Sequence, residues 1–161
     1  MLPMAELRSA LSSRGFEAVR THLQSGNVIV DPGKSGLRTL SATLEKVITD
    51  EFALEVRVIV RTRKELATIA AKHPLGAGQS DGSLLHVIFL ERAPSAAKVA
   101  DLDPDRSPPD SFEVRGREIY VSYPDGQGRS KLSLAYFERV LGVAGTARNW
   151  KSVTKLLEMM G

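Results

Sequence analysis

Two stretches in the C-terminal third place cations beside backbone that a ligand could approach. In Tyr123 to Leu132, YPDGQGRSKL, Pro124 and Gly126 take the second and fourth positions of a turn, Gly128 follows, and Arg129, Ser130 and Lys131 precede an apolar segment with helical spacing. A helix N-terminus carries unpaired N–H groups and about half a unit of positive charge, so it normally gathers acidic side chains. Here Arg129 and Lys131 flank it instead, with Ser130 as the expected N-cap of a helix beginning at Lys131. Open glycines, backbone donors and cations at a helix start are the parts of an anion site. Thr146 to Leu156, TARNWKSVTKL, repeats the pattern: Asn149 is the expected cap of the last helix, Arg148 and Lys151 crowd its positive end, and Lys155 lies one turn on. The candidate anion site is therefore Gly126, Gly128, Arg129, Ser130, Lys131, Arg148, Asn149 and Lys151.

Other chemistry fails on spacing. The glycine loop lacks the G-x-x-x-x-G-K-[ST] spacing of a nucleotide-binding P-loop. His22, His73 and His86 have no metal-ligand spacing, and His86 inside LLHVIFL reads as a sheet residue. DLDPD, from Asp101, opens like a calcium loop, but Arg106 stands where the glycine belongs and Phe112 where the twelfth-position carboxylate belongs. Ser152 and Lys155 match S-x-x-K without its companion motifs. Tyr120 and Tyr123 lie in a strand setting that favours packing, and Trp150, ahead of Val153, Leu156 and Leu157, reads as a core anchor rather than a base-stacking platform. With no cysteine, thiolate catalysis, disulfides and cysteine-bound zinc are excluded. No cofactor fingerprint is present, so no cofactor or metal is expected.

The elements that must position these residues alternate clearly. Pro3 to Arg14 has a helical apolar face and a glycine stop at Gly15; AVRTHL and NVIVD flank Gln24, Ser25 and Gly26 as a hairpin. After loop residues 31–36, Leu37, Leu40, Leu44, Val47 and Ile48 mark one helix face. EVRVIVR, Glu55 to Arg61, alternates as a strand, and a helix over residues 63–72 stops before Pro74. GAGQSDGS then links to a second half: strand LLHVIFL, helix SAAKVADL, hairpin SFEVRG and REIYVSYP turned at Arg115 to Arg117, helix Leu132 to Leu141 stopped by Gly142, strand GTARN, and a helix from Trp150 to Met160. The fold class expected is α+β: two ferredoxin-like split β-α-β halves in tandem, residues 1–75 and 84–161 joined by a linker at 76–83, with a C-terminal helix and with the first half lacking its opening strand. That strand is central in such a sheet, so the expectation is a late start or a fragment.

The segments MLPMAELRSALSSRGFEAVRTHLQSGNVIVD, YPDGQGRSKL and TARNWKSVTKL together resemble the bacterial family catalogued as domain of unknown function 1697, over nearly the whole chain. The resemblance implies an additional N-terminal strand and a glycine-rich turn before Leu2, in line with the element count, and it brings no activity with it.

At 161 residues, with 42% hydrophobic and 25% charged residues, the chain is neither disordered nor fibrous. No apolar run reaches membrane-spanning length and the N-terminus has no signal pattern, which makes cytoplasm the expected location and a membrane partner unexpected. The net charge of +3 suits an anionic partner without requiring one. The expected function is a non-catalytic module that binds a phosphate-bearing ligand or nucleic acid. Two alternatives stand beside it: a small enzyme on an anionic substrate whose site is completed by a lost N-terminal turn, and a protein-interaction or structural domain without a small ligand.

Overall fold

The computed structural model describes residues 2–22, 26–32, 37, 39–71, 73–76 and 84–161. Among them, six helices and six strands in two antiparallel sheets make an α+β protein with a C-terminal helix. The chain divides into two compact units, Met1–Val60 and Arg61–Met159.

In the first unit, helix α1 (Met4–Ser13) buries Met4, Leu7 and Leu11, which helical spacing puts on one face. It stops as expected: Gly15 takes a φ of 93°, Phe16 N–H donates to Leu11 O at 3.1 Å, and Gly15 N–H donates to Ser12 O at 3.2 Å. Strands β1 (Glu17–His22) and β2 (Asn27–Asp31) form the expected hairpin, with Thr21 opposite Val28. Of its turn, Gln24 and Ser25 lie outside the described residues, as do residues 33–36 of the following loop. Helix α2 (Leu40–Phe52) buries Leu40, Leu44, Val47 and Ile48 in one cluster with the α1 face. Leu37, expected on that face, precedes the first turn and is 50% exposed.

Glu55 to Arg61 corrects a second expectation, because this alternating segment belongs to no sheet. Val58 and Val60 pack against the α1–α2 cluster, as do Val28 and Val30 of β2. Alternation marks the inward face at Val58 and Val60, while Val56 in the same phase is exposed. A strand also needs a hydrogen-bonding neighbour, and none of the described strands runs beside this segment.

The second unit opens on helix α3 (Arg63–Ala71), whose start is a reciprocal cap: Glu65 N–H donates to Thr62 Oγ1 at 3.1 Å and Thr62 N–H to Glu65 Oε1 at 2.9 Å. Of the link expected at 76–83, residues 77–83 lie outside the described residues. Then follow β3 (Leu85–Leu90), α4 (Ala96–Ala100), β4 (Ser111–Arg115), β5 (Glu118–Ser122), α5 (Leu134–Leu141), β6 (Gly145–Asn149) and α6 (Trp150–Met159), the expected order of elements. The four strands pair in the order β4-β5-β3-β6, all antiparallel. Alternation sends Ile88, Leu90, Ile119, Val121 and Ala147 to one face, where they pack with Tyr136, Phe137 and Leu141 of α5. Val87, Phe89 and Tyr120 take the other face, on the side of α3 and α6; His73 lies edge-on between the rings of Tyr120 and Trp150. The β3–β6 joint needs a glycine: a Cβ on Gly145 would meet Phe89 O and the Leu90 side chain at 3.1 Å each.

One buried ion pair holds the α3 end of this unit to the sheet. The Arg61 side chain is 6% exposed and that of Glu118 16%; Arg61 Nε donates to Glu118 Oε2 at 2.9 Å, and its Nη2 donates to Leu90 O at 2.8 Å and Arg117 O at 3.1 Å. Arg61→Ala leaves Glu118 buried without its counter-charge and is expected to cost about 3 kcal/mol. Arg61→Met combined with Glu118→Leu is expected to cost less than Arg61→Ala alone. Urea unfolding followed through Trp150, the one tryptophan and a residue of this unit, measures both.

Candidate functional site

The glycine loop leaves β5 through a tight turn in which Gly126 N–H donates to Tyr123 O at 2.9 Å and Gly126 takes a φ of 89°. A second turn follows, Ser130 N–H donating to Gln127 O at 3.0 Å. Both ends of the loop are pinned. The buried Tyr123 hydroxyl donates to Leu132 O at 2.8 Å, Lys131 N–H donates to Ser107 Oγ at 3.0 Å, and Arg106 Nε donates to Lys131 O at 3.0 Å. Burial pushes the Tyr123 hydroxyl up to about 12, so it stays protonated and keeps donating.

Ser130 is not the helix cap. Its Oγ accepts from Leu132 N–H at 3.0 Å, while Ser133 caps α5 by accepting from Tyr136 N–H at 3.1 Å. The helix therefore begins at Leu134 rather than Lys131, because the Ser133 hydroxyl lies three residues before a free helical N–H and Leu132 is drawn into the core with 1% exposure. The loop tip is what remains open. The N–H groups of Gln127, Gly128 and Arg129 have no partner among the described residues, and the exposed side chains of Arg129 and Lys131 have no acidic partner there.

The second motif divides. Asn149 Oδ1 accepts from Ser152 N–H at 2.8 Å, the expected cap of α6. Lys151 is exposed on the first turn of α6. Arg148 lies opposite Val87 in the ladder and donates to Thr146 Oγ1 at 2.6 Å and Ala147 O at 2.8 Å; desolvation lowers its pKa. Its guanidinium is thus engaged within β6, on the α6 side of the sheet. The rest of the candidate set comes to one end of the sheet. Leu85 is opposite Ser122 and His86 opposite Asn149, so the glycine loop and the start of α6 leave the same end.

His86, read from sequence as an ordinary sheet residue, sits between them. Its ring is edge-on to Tyr123 at 5.0 Å, and its Nδ1 is buried without a partner. The signal available in the sequence was a lone polar residue inside an apolar strand. Its neighbour His73 is locked in one neutral tautomer: Leu75 N–H donates to Nδ1 at 3.1 Å and Nε2 donates to His86 O at 3.1 Å. Trp150 is held edge-on against His73, consistent with its reading as a packed ring.

Among the described residues no group of histidine, aspartate and glutamate side chains is arranged to hold a metal ion, and no helix is long and apolar enough to cross a membrane.

Desolvation is the main cause that holds both His73 and His86 below the ordinary imidazole value of 6.5. The unfolded chain therefore accepts protons that the folded chain resists. Stability is expected to be full above about pH 6.5, to fall as pH drops below it, and to level off beneath the folded-state values; urea midpoints between pH 8 and pH 4.5 measure this. Tyr123→Phe removes the loop latch and strands Leu132 O, with an expected cost of about 1 to 2 kcal/mol and faster amide exchange across residues 126–131.

Comparison with known proteins adds the following. The family model described as a protein of unknown function (DUF1697) matches residues 1–120, ending before the glycine loop. The solved structure of a conserved bacterial protein, SP0830 from Streptococcus pneumoniae, aligns with a TM-score of 0.73 at 20% identity, covering 100% of this chain and 90% of that one. This likeness is one of fold. No curated protein matches the chain.

Proposed function

Because the chain belongs to the DUF1697 family, whose function is unknown, we propose its role from its own residues: it is a non-catalytic domain that binds a phosphate-bearing ligand at the sheet end carrying the glycine loop and the start of α6. One observation carries the reading. The loop is pinned at Tyr123 and Lys131, yet its tip offers three consecutive N–H groups without partners and two cations without acidic partners among the described residues. A fixed loop presenting donors and positive charge binds an oxyanion with little ordering cost. Asn149 and Lys151 at the α6 start extend the same end, while Arg148 contributes through the packing of β6. Phosphate rather than base recognition is favoured, since Trp150 is already packed against His73. Nucleic acid enters as a polymer of phosphates, not as a read sequence.

The interaction-domain alternative draws on the Glu55 to Arg61 segment, which packs Val58 and Val60 inward, leaves Val56 exposed and joins no sheet among the described residues.

Arg129→Gln with Lys131→Gln tests the principal reading. Both side chains are exposed, so stability is expected to hold within about 0.5 kcal/mol. Binding of inorganic phosphate, mononucleotides and single-stranded oligonucleotides at low salt, measured by calorimetry, is expected to weaken at least several-fold, and the oligonucleotide's salt dependence is expected to flatten. Equal binding by the double variant and the parent, or no binding by the parent, would overturn the reading.

A further inference from the structure

We propose that the anion site continues into a second subsite, formed by Arg106 and Arg139 around the ring of Tyr136, and that its ligand is a linear chain of phosphates rather than a single phosphate. The inference rests on the reading above and deepens it. Direct hydrogen bonds join the two subsites. Lys131, at the end of the glycine loop, donates from its backbone N–H to Ser107 Oγ at 3.0 Å, and its carbonyl accepts from Arg106 Nε at 3.0 Å. Arg106 is thereby seated against the end of the loop. Its guanidinium carbon lies 4.0 Å from the centre of the Tyr136 ring, and that of Arg139 lies 5.7 Å from the same centre, both within cation–π reach. The two guanidiniums are therefore no farther apart than those distances laid end to end.

The way these cations are held leaves them open to a ligand. Arg106 uses Nε on the Lys131 carbonyl, and its two terminal nitrogens have no hydrogen-bond partner among the described residues. Arg139, exposed on α5, has neither a hydrogen bond nor an ion pair there. Tyr136 is itself fixed: its hydroxyl accepts from Asp103 N–H at 2.9 Å, and the residue is 5% exposed. A ring attracts cations through its quadrupole but carries no net charge, so it orders the two guanidiniums without neutralising them. The buried ring is closed to base stacking, so a ligand is met through its phosphates.

The carboxylates nearest along the chain do not take up these charges. Asp103 Oδ1 accepts from Asp105 N–H at 2.9 Å, and Glu138 Oε2 accepts from Gly145 N–H at 3.0 Å. Neither these two nor Asp101 and Asp105 pair with Arg106 or Arg139 among the described residues. The result is a connected series of cations: Arg129 and Lys131 on the loop, Arg106 at its end, and Arg139 reached through Tyr136. One phosphate at the loop tip leaves the rest of the series unused. A nucleic-acid strand carries one phosphate per about 3.4 Å of helix axis, so a short run of linked phosphates reaches both subsites. Linkage makes the second contact intramolecular, and the guanidinium fork matches a pair of phosphate oxygens.

Three probes test this by calorimetry on the full chain, over about 50 to 200 mM salt: inorganic phosphate, inorganic polyphosphate and oligothymidylate. At least one of the two chains is expected to bind the parent at least about tenfold more tightly than inorganic phosphate, and the chain that does so identifies the source of the phosphates. Arg106→Gln would also break the bond to the loop, so Arg139, exposed and without a hydrogen bond among the described residues, carries the test. Arg139→Gln is expected to weaken chain binding several-fold and, for the oligonucleotide, to flatten the slope of log affinity against log salt by about 0.7. Inorganic phosphate is expected to bind that variant within about twofold of the parent, because salt screens a charge outside the loop subsite. Arg139→Lys, which keeps the charge, is expected to restore the slope. Chains that bind no more tightly than inorganic phosphate, or an affinity and slope unchanged in Arg139→Gln, overturn the second subsite and leave the loop site standing. No binding of any probe by the parent overturns both.

Discussion

The Arg61–Glu118 pair is the constraint on which the second unit depends. Burying two charges costs several kcal/mol each, and their attraction only roughly offsets that cost, so the pair acts more through position than through net stability. Arg61 uses the fork of its guanidinium fully: one edge meets the Glu118 carboxylate, and Nη2 also reaches the carbonyls of Leu90 and Arg117. These groups mark the end of β3 and the start of β5. Arg61 thereby holds two adjacent strands at their common end, two residues before α3 begins. Glu65 in the first turn of α3 pairs with Arg117, so the helix is fixed to the same turn. From that anchor the chain runs along α3 to His73, whose packing between Tyr120 and Trp150 joins α6 to the sheet.

Charge is distributed unequally along β5. At its start, Glu118 and Glu65 are matched by Arg61 and Arg117, and Glu113 on the neighbouring strand pairs with Arg115. Beyond its far end, Arg129 and Lys131 have no such match among the described residues. Matched pairs hold shape and are little affected by ligands, whereas unmatched cations leave a field at one edge of the unit.

The periodicity of the sequence carried most of the architecture. Helix faces such as Met4, Leu7 and Leu11, the stops at Gly15 and Gly142, and the alternating strands of the second unit follow from local rules that packing did not override. The failures have specific causes. Glu55 to Arg61 has the alternation of a strand, but pairing is a property of two segments and cannot be read from one. Ser130 and Ser133 are equally good caps by type; the choice between them was made by the burial of Leu132, a tertiary event. Of the candidate site, the types and approximate place of the cations were legible. The engagement of Arg148 within β6 and the position of His86 opposite Asn149 depend on register, which one-dimensional spacing does not contain.

The junction of β6 and α6 has a mechanical consequence. The strand ends at Asn149 and the helix begins at Trp150 with no residue between them. A loop would act as a swivel and absorb rotation; a direct junction cannot. The azimuth of α6 about its own axis is therefore geared to the pleat of β6, with Trp150 and Val153 as the teeth that seat it and Gly145 as the tight fit at the far end of the same strand. A small torque applied at the Asn149 end would turn the whole helix as one lever, carrying its length of ten residues with it rather than bending at a hinge.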